Sequence, residues 1–159
     1  MILLHIDGST ESVDLRLLGA EDTPSGQGWE AIGLDHPTVA QAGEPLGLHL
    51  ENTVDVESLP VDLAAFRFVA LDFPAFTDGR AYSQASVLRS RLHWTRPIVA
   101  TGDLHQDQAC YLKRCGFDVF AVEDTAQAER LVRGFNDFTT AYQATQAGEL
   151  PAYRRRRSA

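Results

Sequence analysis

Residues 66–122 read FRFVALDFPAFTDGRAYSQASVLRSRLHWTRPIVATGDLHQDQACYLKRCGFDVFAV, and their hydrophobic pattern decides the fold class. Three short apolar runs have the length and composition of buried strands: residues 66–71, 97–101 and 117–122. Between them, apolar side chains recur at helical spacing over residues 80–92 and 104–115, and Gly116 is well placed to end the second helix. Alternating strands and helices are typical of βαβ units, which build a parallel sheet with right-handed crossovers.

The flanking sequence extends this pattern in both directions. Residues 1–30 predict a small β segment, because an apolar run at 2–6 ends at the turn pair Asp7-Gly8. Further strands are expected within 29–34 and 46–50, and a last helix from about Thr125 to Gln143.

The predicted fold is α/β: a three-layer or half-barrel-like, mostly parallel sheet built from βα units, with a small N-terminal β extension. We expect a single domain over residues 1–150, with its βα core at 66–143. The chain has 159 residues, of which 44% are hydrophobic and 23% charged, as in an ordinary globular domain.

The charge balance argues against nucleic-acid binding. The formal net charge is −8, although four of the 14 basic residues stand together at Arg154–Arg157. The rest of the chain is therefore strongly acidic and repels phosphate backbones. Residues 151–159 predict a disordered, solvated tail, with docking on an acidic partner surface as the alternative.

Several other classes of protein are disfavoured. The first residues lack the basic segment of a signal peptide, and no apolar run approaches the roughly 18 residues that span a bilayer, so we expect a cytoplasmic protein without membrane contact. Cys110 and Cys115 lie about 140° apart around a helix, so they cannot share a metal ion, and Cys115 is expected to be a small buried side chain. The histidines show no ligand pair, and no nucleotide-binding motif occurs, so neither a metal nor a cofactor is predicted.

Ligands of such folds bind beyond the carboxyl ends of the strands, which directs attention to the loop at residues 72–80. Asp72 ends a strand, Thr77 or Asp78 is suited to cap the following helix, and Gly79 permits a tight turn. Arg80 adds a guanidinium at the helix start, so the loop has the parts of an anion site. The structural alternative is a well-capped helix in which Arg80 pairs with Asp78 or Asp72.

The second strand-end loop covers residues 101–108 and includes Gly102, where the strand stops. Asp103 is a good N-cap, and Gln106 three residues later completes a pattern like a capping box. Asp107 and Gln108 fall in the first helical turn. Each polar residue thus has a structural explanation. The functional alternative is that Asp103 and Asp107 face Arg80 across a shared cleft.

Four strings carry a resemblance to a known family: residues 71–85, 102–108, 114–120 and 135–143. In these strings the chain resembles the bacterial family called domain of unknown function 934, which is also loosely described as an oxidoreductase. The similarity is strong from 66 to 143 and loose over the first 60 residues. The family usually has Lys at Ala75, Gly at Ala81 and Leu-Arg at His105-Gln106, so an anion bound by those lost basic groups would bind here less well or differently.

The resemblance implies a place in sulfur assimilation, because genes of this family commonly stand beside those of assimilatory sulfite reductase. Our first hypothesis is an accessory protein that assists the sulfite reductase haemoprotein in electron delivery or assembly, without a redox group of its own. Its surface or cleft would include the side chains of Asp78, Arg80, Tyr82, Gln84, Asp103, Asp107 and Gln108.

Two other hypotheses stay open. One is a small β/α enzyme that binds a sulfite- or phosphate-like oxyanion at the Gly79–Arg80 helix start, with Asp103 or Asp107 as general acid or base. The other is a structural or dimeric domain in which the polar loops only cap helices. The sequence determines neither the substrate nor the oligomeric state.

Overall fold

The computed structural model describes residues 1–41 and 45–137. Its centre is a sheet of eight short strands: β1 (Ile2–His5), β2 (Thr10–Glu11), β3 (Leu15–Leu18), β4 (Trp29–Ile32), β5 (Gly47–Leu50), β6 (Val69–Phe73), β7 (Ile98–Gly102) and β8 (Val119–Val122). Their order across the sheet is β2-β1-β8-β7-β6-β5-β4-β3. The six strands from β3 to β8 run parallel, whereas β1 is antiparallel to both of its neighbours. The predicted α/β class and the small N-terminal β extension are confirmed.

The sheet curls, so its two faces have different surroundings. Alternate side chains of the strands point into the curl and form one buried cluster: Leu3, Leu15, Trp29, Ala31, Phe68, Ala70, Val99, Val119 and Ala121. This cluster includes residues from β1, the second strand from one end of the sheet, and from β3 at the other end, and the ring centroids of His5 and Trp29 lie 6.4 Å apart. The sheet is therefore a half-barrel with a filled interior, which decides between the two predicted architectures.

The interior is packed closely enough to require a glycine. A Cβ added to Gly47 on β5 would lie 2.3 Å from the ring of Phe68, which is fully buried. Since Phe68 also packs against Trp29, with ring centroids 4.8 Å apart, the ring has no room to move aside. The missing side chain at position 47 thus allows two aromatic rings to fill the centre of the half-barrel.

In the part of the chain that the structure describes, three helices cover the outer face: α1 (Arg80–Ser90), α2 (Ala109–Cys115) and α3 (Thr125–Gly134). Gly116 ends α2 in the left-handed conformation, with φ of 103°, as predicted. The predicted third helix extends too far, because α3 ends at Gly134. A Cβ added to Gly134 would lie 2.2 Å from the carbonyl oxygen of Gln106, so this close contact requires glycine. Residues 138–143 of that prediction and the tail at 151–159 lie outside the described residues.

Among the described residues between β4 and β6, the regular structure outside β5 consists of single 3₁₀ turns: Val39–Gln41, Val56–Ser58 and Leu63–Ala65. Helices therefore cover β6, β7 and β8, while loops and turns cover the first parallel strands. In the part of the chain that the structure describes, no helix has the length and apolar character needed to cross a membrane.

Cys110 and Cys115 are both free and buried, as predicted for Cys115. Burial raises the pKa of the Cys115 thiol above its usual value, and weaker hydrogen bonds from Ser86 and Tyr111 oppose that shift. The thiol is therefore a packing group at neutral pH.

Candidate functional site

A cleft of about 870 Å³ opens at the carboxyl ends of the parallel strands. We call it the mouth cleft. Leu17 of β3, Asp72 of β6, Thr101 of β7, Glu123 after β8 and Arg130 of α3 line it, together with the loop from Gly102 to Asp107. The cleft therefore lies where open α/β sheets and β/α barrels bind ligands.

The floor of the mouth cleft is formed by neighbouring residues of β6 and β7. Asp72 and Thr101 are paired in the sheet register, and the Thr101 hydroxyl donates to the Leu71 carbonyl oxygen at 3.2 Å and to Asp72 Oδ1 at 3.4 Å. Gly102 follows with φ of +93°, and a Cβ there would lie 2.3 Å from the Phe73 carbonyl oxygen. Only glycine fits this close approach, so the loop after β7 starts directly against the carboxyl end of β6.

The two strand-end loops are joined by hydrogen bonds. The Asp103 N–H donates to the Phe73 carbonyl oxygen at 2.8 Å, and Asp103 Oδ2 accepts from the Phe76 N–H at 2.9 Å. Asp103 Oδ1 also lies 2.8 Å from His105 Nε2, and the Gln108 side chain donates to the Phe76 carbonyl oxygen at 3.3 Å. The two loops therefore lie side by side, and Asp103 joins them.

The capping predicted for the second loop is wrong in its position. The 3₁₀ turn begins after His105, and the Gln108 Oε1 accepts from the His105 N–H at 2.9 Å, so this pair replaces the expected Asp103 and Gln106. The shift has a tertiary cause, because the carboxylate of Asp103 is already engaged by Phe76 of the other loop.

Exposed aromatic and acidic side chains project from the joined loops and from the first turn of α2. On the loops, Phe76 is 42% exposed, and Asp103, His105 and Asp107 are exposed as well. On α2, Tyr111 is 49% exposed. The Phe76 and His105 rings meet edge to face, with centroids 5.0 Å apart. We call these five residues the loop platform.

Arg80 does not face the second loop. Its Nε and Nη2 donate to Asp78 at 2.9 and 2.6 Å, and its N–H donates to the same carboxylate at 3.3 Å. These hydrogen bonds lower the pKa of Asp78 far below its usual value. The structural alternative, in which Arg80 pairs with Asp78, is what the structure contains, although Gly79 rather than Thr77 or Asp78 is the N-cap.

The remaining predicted residues of the first loop and its helix have structural contacts. Gln84 is buried and donates to the carbonyl oxygens of Glu51 and Val54 at 2.9 and 2.8 Å, which fastens the loop after β5 to α1. Tyr82 lies between Phe73 and Tyr111, with ring centroids 5.0 and 4.8 Å away. Burial, with smaller contributions from nearby charges, raises the pKa of Tyr82 to about 12, so its phenol stays protonated.

The structure thus divides the predicted residues into two groups. Asp72, Gly102, Asp103 and Asp107 line the mouth cleft. The others are not among the described residues that line it: Thr77, Asp78, Gly79, Arg80, Tyr82, Gln84 and Gln108. In residues 1–41 and 45–137, no three His, Cys, Asp or Glu side chains converge in the way that a metal ion requires.

Sequence reasoning missed four residues at or near the mouth cleft: Leu17, His49, Glu123 and Arg130. Glu123 directly follows β8, so the strand-end rule that selected Asp72 and Asp103 would have selected it as well. His49 lies between Leu48 and Leu50, whose side chains pack on the outer face, so its own side chain points into the half-barrel. No local signal in the sequence identifies Leu17 or Arg130 as cleft residues.

His49 has an unusual environment. Its Nε2 is buried and has no hydrogen-bond partner among the described residues. Burial lowers the pKa of His49, and the charges of Asp72, Glu51 and Asp35 oppose this shift without cancelling it. The imidazole is therefore neutral at pH 7 and lies one layer below the mouth cleft, next to the strand that carries Asp72.

The fold and the mouth cleft define an α/β half-barrel with a polar cleft at the carboxyl ends of its strands. Residues 47–153 match the family described as "Bacterial protein of unknown function (DUF934)", and the chain belongs to that family. The match begins at the first residue of β5, so it includes every strand that is followed by a helix. No curated protein and no solved structure matches the chain.

Proposed function

We propose that this protein is an accessory protein of assimilatory sulfite reduction, which docks on the sulfite reductase haemoprotein through the loop platform and assists its assembly or its supply of electrons. The sulfite reductase context comes from the family resemblance. The observation that carries the docking surface is the loop platform itself, in which the exposed ring of Phe76 stands beside exposed carboxylates on loops joined by hydrogen bonds, and the exposed ring of Tyr111 follows on α2.

These features suit a protein interface. Aromatic side chains contribute much of the binding energy at interfaces, and a preorganised loop loses little conformational entropy on binding. The carboxylates of the platform and the net charge of −8 favour a partner with a basic surface, toward which they accelerate association.

The alternative function is a small enzyme that binds an oxyanion at Gly79 and Arg80. The geometry favours it less, because the guanidinium and the N–H of Arg80 already donate to the Asp78 carboxylate. A sulfite or phosphate would have to displace that carboxylate. Asp103 and Asp107 would have to act from the loop platform, while Arg80 stays with Asp78 at the start of α1.

The docking surface is tested by measuring complex formation with the purified sulfite reductase haemoprotein. We expect a complex at micromolar concentration in 50 mM salt, and we expect Phe76→Ala and Tyr111→Ala each to raise the Kd about tenfold. Leu92→Ala is the matched control, since Leu92 is 38% exposed near the other end of α1, and its Kd should stay within about twofold of wild type. Separate elution of the two wild-type proteins would refute direct docking.

Growth of a deletion strain tests the pathway independently of docking. We expect growth on sulfide or cysteine and none on sulfate or sulfite as sole sulfur source. An Arg80→Ala gene should restore growth, whereas a Phe76→Ala/Tyr111→Ala gene should not. Normal growth of the deletion strain on sulfate would refute a required role in sulfite reduction, and failure of Arg80→Ala alone would favour the oxyanion enzyme.

A further inference from the structure

The mouth cleft is a large space with strongly unbalanced charge. Among the described residues, five carboxylates line its 870 Å³: Asp72, Asp103, Asp107, Glu123 and Asp137. The same lining contains the Arg130 guanidinium and Met1, whose α-ammonium pairs with Asp14 at 3.2 Å. Because protein walls exclude water from part of the space, the excess of negative charge produces a concentrated field there that attracts cations and repels anions.

One wall of the mouth cleft is apolar and open to solvent. Leu17 is 46% exposed on β3, although the next inward-pointing side chain on that strand, Leu15, is buried. Leu104 and Leu131 lie in the same lining. An apolar wall beside an acidic floor complements a ligand with an apolar part and a positive charge.

Hydrogen bonding is also incomplete in the layer of side chains below the floor of the mouth cleft. The buried Nε2 of His49 has no hydrogen-bond partner among the described residues, and His49 is on the strand next to that of Asp72. A buried nitrogen without a partner costs stability, and such groups are concentrated at functional sites. His49 lies on β5, outside the described lining of the mouth cleft, and the pairing of β5 with β6 places it one layer below Asp72.

We propose that the mouth cleft binds a small organic cation, namely a molecule that joins an ammonium group to an apolar portion. The ammonium lies among the carboxylates, with Asp72 at the floor, and the apolar portion packs against Leu17. The proposal goes beyond docking on sulfite reductase, and its test contains no reductase, so either proposal can fail alone. The proposed cation site requires Asp72 and Leu17, and neither residue is part of the loop platform.

The test compares three probe molecules of similar shape and different charge on the full-length protein: 2-phenylethylamine, 2-phenylethanol and 3-phenylpropanoate. Backbone amide shifts of Thr101, Gly102 and Asp103 report binding by NMR. We expect the amine to produce saturable shifts, the alcohol to bind at least tenfold more weakly, and the carboxylate to produce no shift. Raising NaCl from 50 to 500 mM should weaken amine binding, because salt screens the carboxylates.

Variants locate the site. Asp72→Asn keeps an oxygen for the Thr101 hydroxyl and removes the charge, and Leu17→Ser removes the apolar wall. We expect each to weaken amine binding at least threefold, as should Glu123→Gln. Glu129→Gln is the matched control, because Glu129 is also exposed but lines a separate groove on α3, and it should bind like wild type. Equal binding of the three probes, no shift with the amine, or equal loss in Glu123→Gln and Glu129→Gln would overturn the proposal.

Discussion

Glu30 shows how a buried charge is kept ionised by its own chain. The side chain is 2% exposed, and its oxygens accept from Ser25 N–H at 2.8 Å, Ser25 Oγ at 2.8 Å, Gly26 N–H at 3.0 Å and Arg16 Nη1 at 2.7 Å. Burial by itself raises the pKa of Glu30, but these hydrogen bonds and the Arg16 charge outweigh burial and leave the pKa below its usual value.

The depressed pKa predicts a stability that is lost in acid. The ionised carboxylate of Glu30 contributes fully above pH 4.5, the usual glutamate pKa, and its contribution falls as the pH drops toward the lower pKa of the folded state. Glu30→Gln should cost about 1–3 kcal/mol in the free energy of unfolding at pH 7. The amide NH₂ of glutamine would face N–H donors and, being a donor itself, could not accept hydrogen bonds from them. Urea unfolding between pH 3 and 7 measures both effects.

The Glu30→Gln variant also provides the internal check on that prediction. Its stability should vary less with pH below 4.5 than that of wild type, because the titrating group is gone. Parallel pH profiles for the two proteins would show that Glu30 does not supply the acid sensitivity.

At the scale of secondary-structure elements, Arg89 holds the end of α1 to the strand starts of β7 and β8. Its guanidinium donates to the carbonyl oxygens of Gly116, Trp94 and Arg96 and to the Asp118 carboxylate. Asp118 in turn accepts from the Ile98 N–H at 2.9 Å. One side chain thus satisfies backbone groups from two connecting segments, which is why its 15% exposed charge is tolerated.

We predict that Arg89→Met costs about 3–5 kcal/mol in the free energy of unfolding, because it leaves several carbonyl oxygens and the Asp118 carboxylate without their donor. Arg91→Met, two residues further along the chain, is the matched control. Arg91 pairs with Glu57 on the surface at 2.7 Å, and exposed pairs contribute about 0–1 kcal/mol. Chemical denaturation of both variants checks the contrast, and similar losses would contradict the assigned role of Arg89.

The elements from β6 to α3 could be predicted from the sequence because their signals are local. The apolar runs at 66–71, 97–101 and 117–122 correspond to strands that begin one to three residues later, and Gly116 ends α2 as expected. The cap at His105 was not predictable, since it depends on Asp103 being engaged by Phe76 across 27 positions of chain. Helix boundaries respond to such tertiary contacts, which local patterns do not contain.

The candidate site was predictable in part for the same reason. The strand-end rule finds Asp72, Gly102, Asp103 and Asp107, which line the mouth cleft. The strand-end rule does not decide which carboxylate pairs with Arg80, because Asp72 and Asp78 are both close to Arg80 in sequence. Leu17 joins the lining of the mouth cleft, and His49 the layer below it, only through the curl of the sheet, which brings β3 toward β8 and selects one face as the interior.

At the scale of the whole molecule, stability is expected to be unevenly distributed along the sheet. β6 and β7 lie in its middle, between two strand neighbours each, with α1 packed outside. β3 is an edge strand, and its residues Arg16 and Leu17 are exposed. Edge strands open in local fluctuations that leave the central strands paired.

Hydrogen exchange measures this difference. Backbone amides of Val99 and Ala100 should exchange about 100-fold more slowly than those of Arg16 and Leu17 at neutral pH. The amides of β5, which has two strand neighbours but lies closer to the β3 edge than β7 does, provide an intermediate reference. Equal protection of β3 and β7 would indicate that the half-barrel opens only as one cooperative unit.

The antiparallel pairing of β1 with β8 sets the order of events during synthesis. Leu3 pairs with Ala121, so β1 has no permanent neighbour on that side until β8 has been synthesised. At about 5–20 residues per second, this interval is on the order of ten seconds. Leu3 and Leu4, both fully buried in the folded protein, are accessible to chaperones throughout that time. Strands β3 to β7 can pair early in the nascent chain, but the sheet cannot be completed until translation has passed residue 122.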